Sequence, residues 1–275
     1  MRTEELTDFG LGIRVHDFDP ASDAADQMAE LHRLLYQHAL LLIRGVAMDN
    51  DAYADFAARF GPLCEVLPVH RRSAGHPYIE HLTITGDDDN TGWHTDHVEV
   101  PGQSPLTTFL CDEAPTEAGE TLFCDMRAAI DILPADQRTA LEEHEGYYPI
   151  RDSISKRLER GMLLRKGWSE AELSKRMAHL RNYTMPLVHR HPISGHRTLV
   201  LNEWHMPQVV GMADDESSRL LKTVFTTATS EGNVYKHTWR VGDLLMWDNT
   251  MTMHTAVPVG AGRKVHRRII MNGPF

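Results

Sequence analysis

Apolar residues in the first sixty positions follow two periods. Over 20–38 (PASDAADQMAELHRLLYQH), Ala24, Met28, Leu31 and Leu35 recur at spacings of four, three and four, one stripe of an amphipathic helix. ALLLIRG (39–45) reads instead as a buried strand ending at a glycine. In MDNDAYADFAARFG, Tyr53, Phe56 and Phe60 return to helical spacing, with Asn50 as candidate N-cap and Gly61 as candidate C-cap.

Farther on the pattern shortens into strand-like pieces: GWHTDHVEV (92–100), LTTFLCDE (106–113), ETLFCDM (120–126), HRTLVLNEW (196–204), GDLLMWDN (242–249) and RRIIMNG (267–273). Two helical stretches interrupt them. SEAE (169–172) is a capping box, Ser169 with Glu172, opening a helix to about His179, and DDESSRLLKTVFTTAT predicts another from about 215 to 228. Strands outnumber helices without alternating with them, and the chain has no G-x-G-x-x-G, P-loop or repeat. The expectation is a mainly β protein with flanking helices, an antiparallel double sheet such as a jelly roll. It spans 1–275 as one domain, with a helical, lid-like insertion at about 148–185.

Composition narrows the function classes. A net charge of −11 over 275 residues argues against a nucleic-acid partner, because phosphate binding needs a clustered basic surface. The N-terminal MRTEELTDFG has no apolar signal core, and ALLLIRGVAM is too short to span a bilayer. Three cysteines without metal-type spacing fit a reducing compartment, so a cytoplasmic location is expected. Cys111 and Cys124 read as plain apolar strand residues. A homo-oligomer is left open.

The chemistry begins at His94 and Asp96. On a strand, residues two apart project from the same face, so this imidazole and carboxylate form either a hydrogen-bonded pair or two ligands of one metal. His254, after the polar turn at Asp248 and Asn249, supplies a candidate third ligand, giving the sequence form of a 2-His-1-carboxylate site that binds Fe(II) and leaves positions open. With seventeen histidines in the chain, accidental His–carboxylate neighbours are also expected. In GRKVHRRII, Arg263 and Arg267 share a strand face with Val265 and Ile269, while Lys264, His266 and Arg268 take the other. An inward arginine grips a carboxylate through two parallel hydrogen bonds; the alternative is a solvated basic face.

WHTD, AGETLF (118–123), GDLLMWDNTMTMHTA and GRKVHRR, in this order, resemble the taurine dioxygenase family of Fe(II)- and 2-oxoglutarate-dependent oxygenases. RGV (44–46), RFGPL (59–63) and PLVHRHPISGHRTLVLNEW (186–204) also resemble family segments, so the likeness covers nearly the whole chain. The resemblance implies a double-stranded β-helix core, with His94, Asp96 and His254 as iron ligands. It implies that Arg263, helped by the Thr121 hydroxyl, binds the distal carboxylate of the 2-oxoglutarate co-substrate, with O2 as the second co-substrate. Arg267 and Asn90 fall at substrate-contacting positions, which implies a small, anionic substrate. The spacing from His254 to Arg263 is shorter than in taurine dioxygenase, which leaves both Arg263 and Arg267 open as the residue that holds the co-substrate. The histidine that follows F-G-x-L there has no match in RFGPLCEVLPVH, which argues against taurine itself. The expected outcome is oxidation of an unactivated C–H bond, hydroxylation by default, with release of succinate and CO2. The rivals are a zinc hydrolase using the same three residues and a non-catalytic jelly-roll binding protein. Arg151, Lys156, Arg157 and Arg160 read as a solvated face, Trp93 as a core residue, and His97, His189, His191 and His266 as structural.

Overall fold

The computed structural model describes residues 1–20, 24–66, 72, 73, 75–86, 92–96, 105–159, 169, 171, 178 and 180–273. Strands β1 (Arg2–Glu5), β2 (Ile13–His16) and β3 (Leu40–Ile43) open the chain, followed by β4 (Arg72–Ser73), β5 (His76–Gly86) and β6 (Pro105–Glu113). Then come β7 (Thr121–Asp125), β8 (Glu145–Tyr148), β9 (Tyr183–Pro186), β10 (Val188–Arg190), β11 (Arg197–Leu199) and β12 (Gln208–Val209). The last four are β13 (Val234–His237), β14 (Leu244–Asp248), β15 (Thr252–Ala256) and β16 (Gly260–Asn272). The helices are α1 (Ala25–His38), α2 (Asn50–Ala58), α3 (Ala128–Asp131), α4 (Ala135–Glu142), α5 (Ile150–Glu159) and α6 (Asp214–Ala228).

Eight strands form one sheet in the order β1-β2-β3-β14-β6-β16-β5-β4, and β13-β7-β15 form a second. Apart from the parallel pair β2–β3, neighbours in both sheets are antiparallel. The apolar stripe of α1 (Leu31, Leu34, Leu35) and the Tyr53/Phe56 face of α2 pack on the large sheet, in one cluster with Leu40–Ile43 and Leu244–Trp247. On the small sheet, Cys124 and Met253 point outward to Ile130 of α3 and to Leu221 and Val224 of α6. Helices therefore cover the outer faces of both sheets. Between the sheets lie Phe109, Phe123, Trp247 and His254, with ring centroids 5.0–5.8 Å apart. This double sheet is the jelly-roll core that the strand pattern implied.

Several boundaries differ from the sequence expectation. The cap of α2 is Asp49, whose side chain accepts from the Ala52 amide, rather than Asn50. Gly61 lies beyond the helix C-cap at φ +150°, where a Cβ would sit 1.9 Å from the Asn272 carbonyl oxygen. Its hydrogen is what lets the two segments meet. GWHTDHVEV is not a strand over its described part: His94 makes an isolated bridge to His254, and Asp96 sits in a turn. HRTLVLNEW pairs only over Arg197–Leu199 and ends in a 3-10 turn, Glu203–His205. Of the 148–185 insertion, 148–159 and 180–185 are described, while most of the expected helix at 169–179, including Glu172 of its capping box, lies outside the described residues.

Candidate metal and co-substrate site

His94 enters the site through its backbone. Its amide donates to the His254 carbonyl at 2.9 Å and its carbonyl accepts from the His254 amide at 2.8 Å, which zips the ligand segment onto β15. The Nδ1 of His94 donates to the Gly92 carbonyl at 2.8 Å, so Nε2 keeps its lone pair and faces Asp96. The ring stacks on Trp204 at 4.1 Å between centroids. Trp204 is held there by Glu203, whose carboxylate and amide bond the Trp93 amide and carbonyl, each at 2.9 Å. A Cβ on Gly92 would lie 2.1 Å from the indole nitrogen, so only glycine admits the stack.

Asp96 lies between the two imidazoles, 3.8 Å from His94 Nε2 and 3.9 Å from His254 Nε2. Those gaps are too long for hydrogen bonds. One ligand atom from each of the three residues falls within 4.8 Å of the others. The alternation of β15 turns His254 inward while Met253 faces the helix layer. Burial, reinforced by His94 and Arg268, lowers the pKa of His254 to about 3, despite the opposing pull of Asp96. A neutral imidazole is the form that ligates metal. Neutral His254, His94 with Nδ1 tied to the Gly92 carbonyl, and one carboxylate, their side chains poised around one point, fit a divalent iron.

Thr121, at the start of β7, is buried and faces inward with Phe123 and His254, since Thr121 pairs with Ala256 and Phe123 with His254. Its hydroxyl accepts from Trp239 Nε1 at 3.0 Å. The arginines do not join it. Arg263 is exposed on the opposite face of β16, with Nε donating to both Glu113 oxygens at 3.0 Å. Arg267 faces the helix layer: it bonds Asp112, caps the approach to α2 through the Met48 carbonyl and Asn50, and lies 5.6 Å over the Tyr53 ring. Both expectations are corrected by strand parity. The residues that β16 turns between the sheets are Lys264, His266 and Arg268. Asn90, and with it His97 and Arg160, lies outside the described residues.

Lys264 is 2% exposed and reaches across to the small sheet, where Nζ donates to the Gly119 carbonyl at 2.9 Å, two residues before Thr121. His266 lies beneath Trp239, 4.3 Å away, and burial together with Lys264 and His237 holds its pKa well below the ordinary imidazole value. Arg268 brings NH1 to 3.6 Å from Asp96 and binds Glu80 through Nε (2.8 Å) and NH2 (2.5 Å). His191, read as structural, donates to buried Asp248 at 3.1 Å.

Comparison with known proteins decides the family. The model for "Taurine catabolism dioxygenase TauD, TfdA family" matches residues 2–270. The chain belongs to this family. It is therefore a 2-oxoglutarate-dependent dioxygenase, using Fe(II), 2-oxoglutarate and O2. Among curated proteins it is similar to the (S)-phenoxypropionate/alpha-ketoglutarate-dioxygenase of Delftia acidovorans, 29% identical, over 90% of this chain and 85% of that one. It is equally similar (29%) to the alpha-ketoglutarate-dependent 2,4-dichlorophenoxyacetate dioxygenase of Cupriavidus pinatubonensis, over 94% and 93% of the two chains. The fold matches a taurine dioxygenase structure from Burkholderia xenovorans with a TM-score of 0.80 at 20% identity, covering 99% of this chain and 89% of that one. It also matches AAD-2 in complex with Mn(II) and N-oxalylglycine, with a TM-score of 0.76 at 22% identity, covering 100% and 98%.

Proposed function

We propose that His94, Asp96 and His254 hold Fe(II) in this dioxygenase, and that the cation receiving the distal carboxylate of 2-oxoglutarate is Lys264, with Thr121 beside it. The observation that carries the first part is the convergence of three buried ligand atoms within 4.8 Å on a family scaffold. The second rests on β16, where the buried inward cation is Lys264, whose Nζ reaches the Gly119 carbonyl two residues before Thr121, while Arg263 lies outside, engaged by Glu113. Iron with 2-oxoglutarate and O2 supplies an oxidant strong enough to break a C–H bond, releasing succinate and CO2. The chain's own residues hold the neutral imidazoles, fix the Asp96 carboxylate, anchor the co-substrate and exclude water with the Phe123, Trp247 and Trp239 rings.

The substrate in this reading is a small organic molecule, hydroxylated by default. Curated relatives are named for phenoxypropionate, 2,4-dichlorophenoxyacetate and sulfate esters, all acidic. An acidic head group here would meet Arg268, not Arg267. The −11 charge favours such a small-molecule partner over nucleic acid, and no helix among the described residues is long and apolar enough to cross a membrane. Three free cysteines fit a reducing, cytoplasmic setting.

The test is turnover. Aerobic incubation with Fe(II) and 2-oxoglutarate should yield succinate, and H94A and D96A should each reduce it to background. Ester hydrolysis with Zn(II), unaffected by 2-oxoglutarate, would instead establish the hydrolase reading.

A further inference from the structure

We infer that Trp239 is a positioning residue for the co-substrate: its indole N–H occupies the Thr121 oxygen and leaves the Thr121 hydroxyl to donate to the distal carboxylate of 2-oxoglutarate. Strand register places both groups. Thr121 on β7 is the cross-strand partner of His237 on β13, and Trp239 follows two residues later, with Nε1 donating to Thr121 Oγ1 at 3.0 Å. The indole is 4% exposed and Thr121 5%. Two imidazoles flank the indole, His237 perpendicular to it at 4.5 Å and His266 tilted at 4.3 Å. The turn behind the ring is also tied down. The Gly242 amide donates to the Cys111 carbonyl and the Cys111 amide to the Asp243 carbonyl, each at 2.9 Å. Asp243 Oδ2 accepts from the Arg240 amide at 3.0 Å and lies 3.2 Å from His237 Nε2. Both the backbone that carries the indole and the ring beside it are therefore fixed.

An indole nitrogen can only donate, so the Thr121 oxygen must accept from it. The hydroxyl hydrogen is then turned away from the indole, and among the described residues no group accepts it. An ionised carboxylate can only accept, which makes it the partner that such a hydroxyl fits. A donor arriving on the oxygen also polarises the outgoing O–H, so the two hydrogen bonds reinforce one another. Without the indole N–H the hydroxyl rotor has nothing to set its direction. Trp239 thus raises co-substrate affinity through Thr121. The inference rests on the reading that Thr121 lies beside the distal carboxylate, while His94, Asp96 and His254 take no part in it.

The experiment is anaerobic calorimetry of the Co(II)-loaded protein with 2-oxoglutarate, on the wild type, W239F, T121V and the W239F/T121V double variant. W239F keeps a ring between the two imidazoles and deletes the N–H; W239L takes its place if that variant does not fold. W239F and T121V should each raise the Kd about tenfold, with Co(II) affinity unchanged. The double variant should be within about twofold of T121V alone, because the indole acts through the Thr121 oxygen. 2-Oxopentanoate, which has the same chelating end and no distal carboxylate, should bind W239F as it binds the wild type. Losses that multiply in the double variant, or an equal loss for 2-oxopentanoate, would reduce the indole to packing and overturn the inference. A W239F Kd within about twofold of wild type, with T121V weakened, overturns it and leaves the Thr121 reading standing. A T121V variant that binds 2-oxoglutarate as the wild type does overturns both.

Discussion

Asp96 and Asn249 are joined twice. The Asp96 amide donates to Asn249 Oδ1 at 3.0 Å; the Asn249 amide group donates to Thr107 Oγ1 at 2.9 Å, and that hydroxyl donates to Asp96 Oδ2 at 2.9 Å. Asn249 is itself fixed by Trp247 Nε1 and the Pro105 carbonyl, at 3.1 and 3.0 Å. One buried amide therefore sets both the backbone and the carboxylate of the metal-site aspartate. Removing it in N249A should weaken Fe(II) or Co(II) binding by roughly 10–100-fold, the usual cost of losing a partner behind a ligand. Calorimetry with Co(II) checks this, and an affinity within threefold of wild type would refute it.

The stack of Trp204 on His94 makes a paired prediction. W204A removes the ring, and G92A drives a Cβ into the space its indole nitrogen occupies. Both should lower metal affinity by about tenfold although neither residue is a ligand, and W204F should restore most of it. Equal loss in G92A and W204A is the signature to look for. Loss in W204A alone would mean that the ring acts by some route other than orienting His94.

Acid should destabilise the metal-free protein. Burial lowers the pKa of His254 to about 3, and those of His266 and His237 also lie below the ordinary value. Unfolded imidazoles titrate near 6.5, so below that pH the unfolded chain binds more protons than the folded one. Stability is then fully present above about pH 6.5 and falls as the pH drops toward 3, at up to about 1.4 kcal/mol per unit for each histidine. Urea melts at pH 7.5, 6.5, 5.5 and 5.0 would show the slope. Constant stability over that range contradicts the buried, neutral imidazoles.

Parity of β16 predicts opposite outcomes for adjacent residues. R263A removes a solvent-screened, exposed pair with Glu113 and should leave both stability and the 2-oxoglutarate Kd essentially unchanged. K264M should raise that Kd at least tenfold. R267A should lower stability by about 1–3 kcal/mol, through Asp112 and the α2 contacts, without touching co-substrate affinity. Anaerobic equilibrium dialysis with labelled 2-oxoglutarate separates the three.

Most of the strand segments and the two early helices were legible because each depends on local pattern, whereas GWHTDHVEV is not a strand over its described part. His94, Asp96 and His254, singled out by motif, have ligand atoms that the fold brings within 4.8 Å of one another. The face of β16 was not legible. Val265 and Ile269 lie beside Arg263 and Arg267, and apolar neighbours usually mark the interior of a half-exposed sheet. Here helices cover the outer face, so Ile269 is buried there, and apolarity no longer distinguishes outside from inside. The sign that could have decided it is Lys264–His266–Arg268, a row of three cations or imidazoles on one face, matched to Thr121 and His254 across the gap. The tethers on Asp96 were hidden for another reason: Thr107 and Asn249 meet it only through long-range folding, which no periodicity records.

The most direct measurement is an anaerobic titration of metal-free protein with Fe(II), then 2-oxoglutarate, followed in the visible spectrum. A weak charge-transfer band that needs both, disappears in H94A and weakens in K264M but not in R263A is the predicted result. A folded protein that shows no band, or one whose band depends on Arg263 and not on Lys264, would contradict the site built from His94, Asp96, His254 and Lys264.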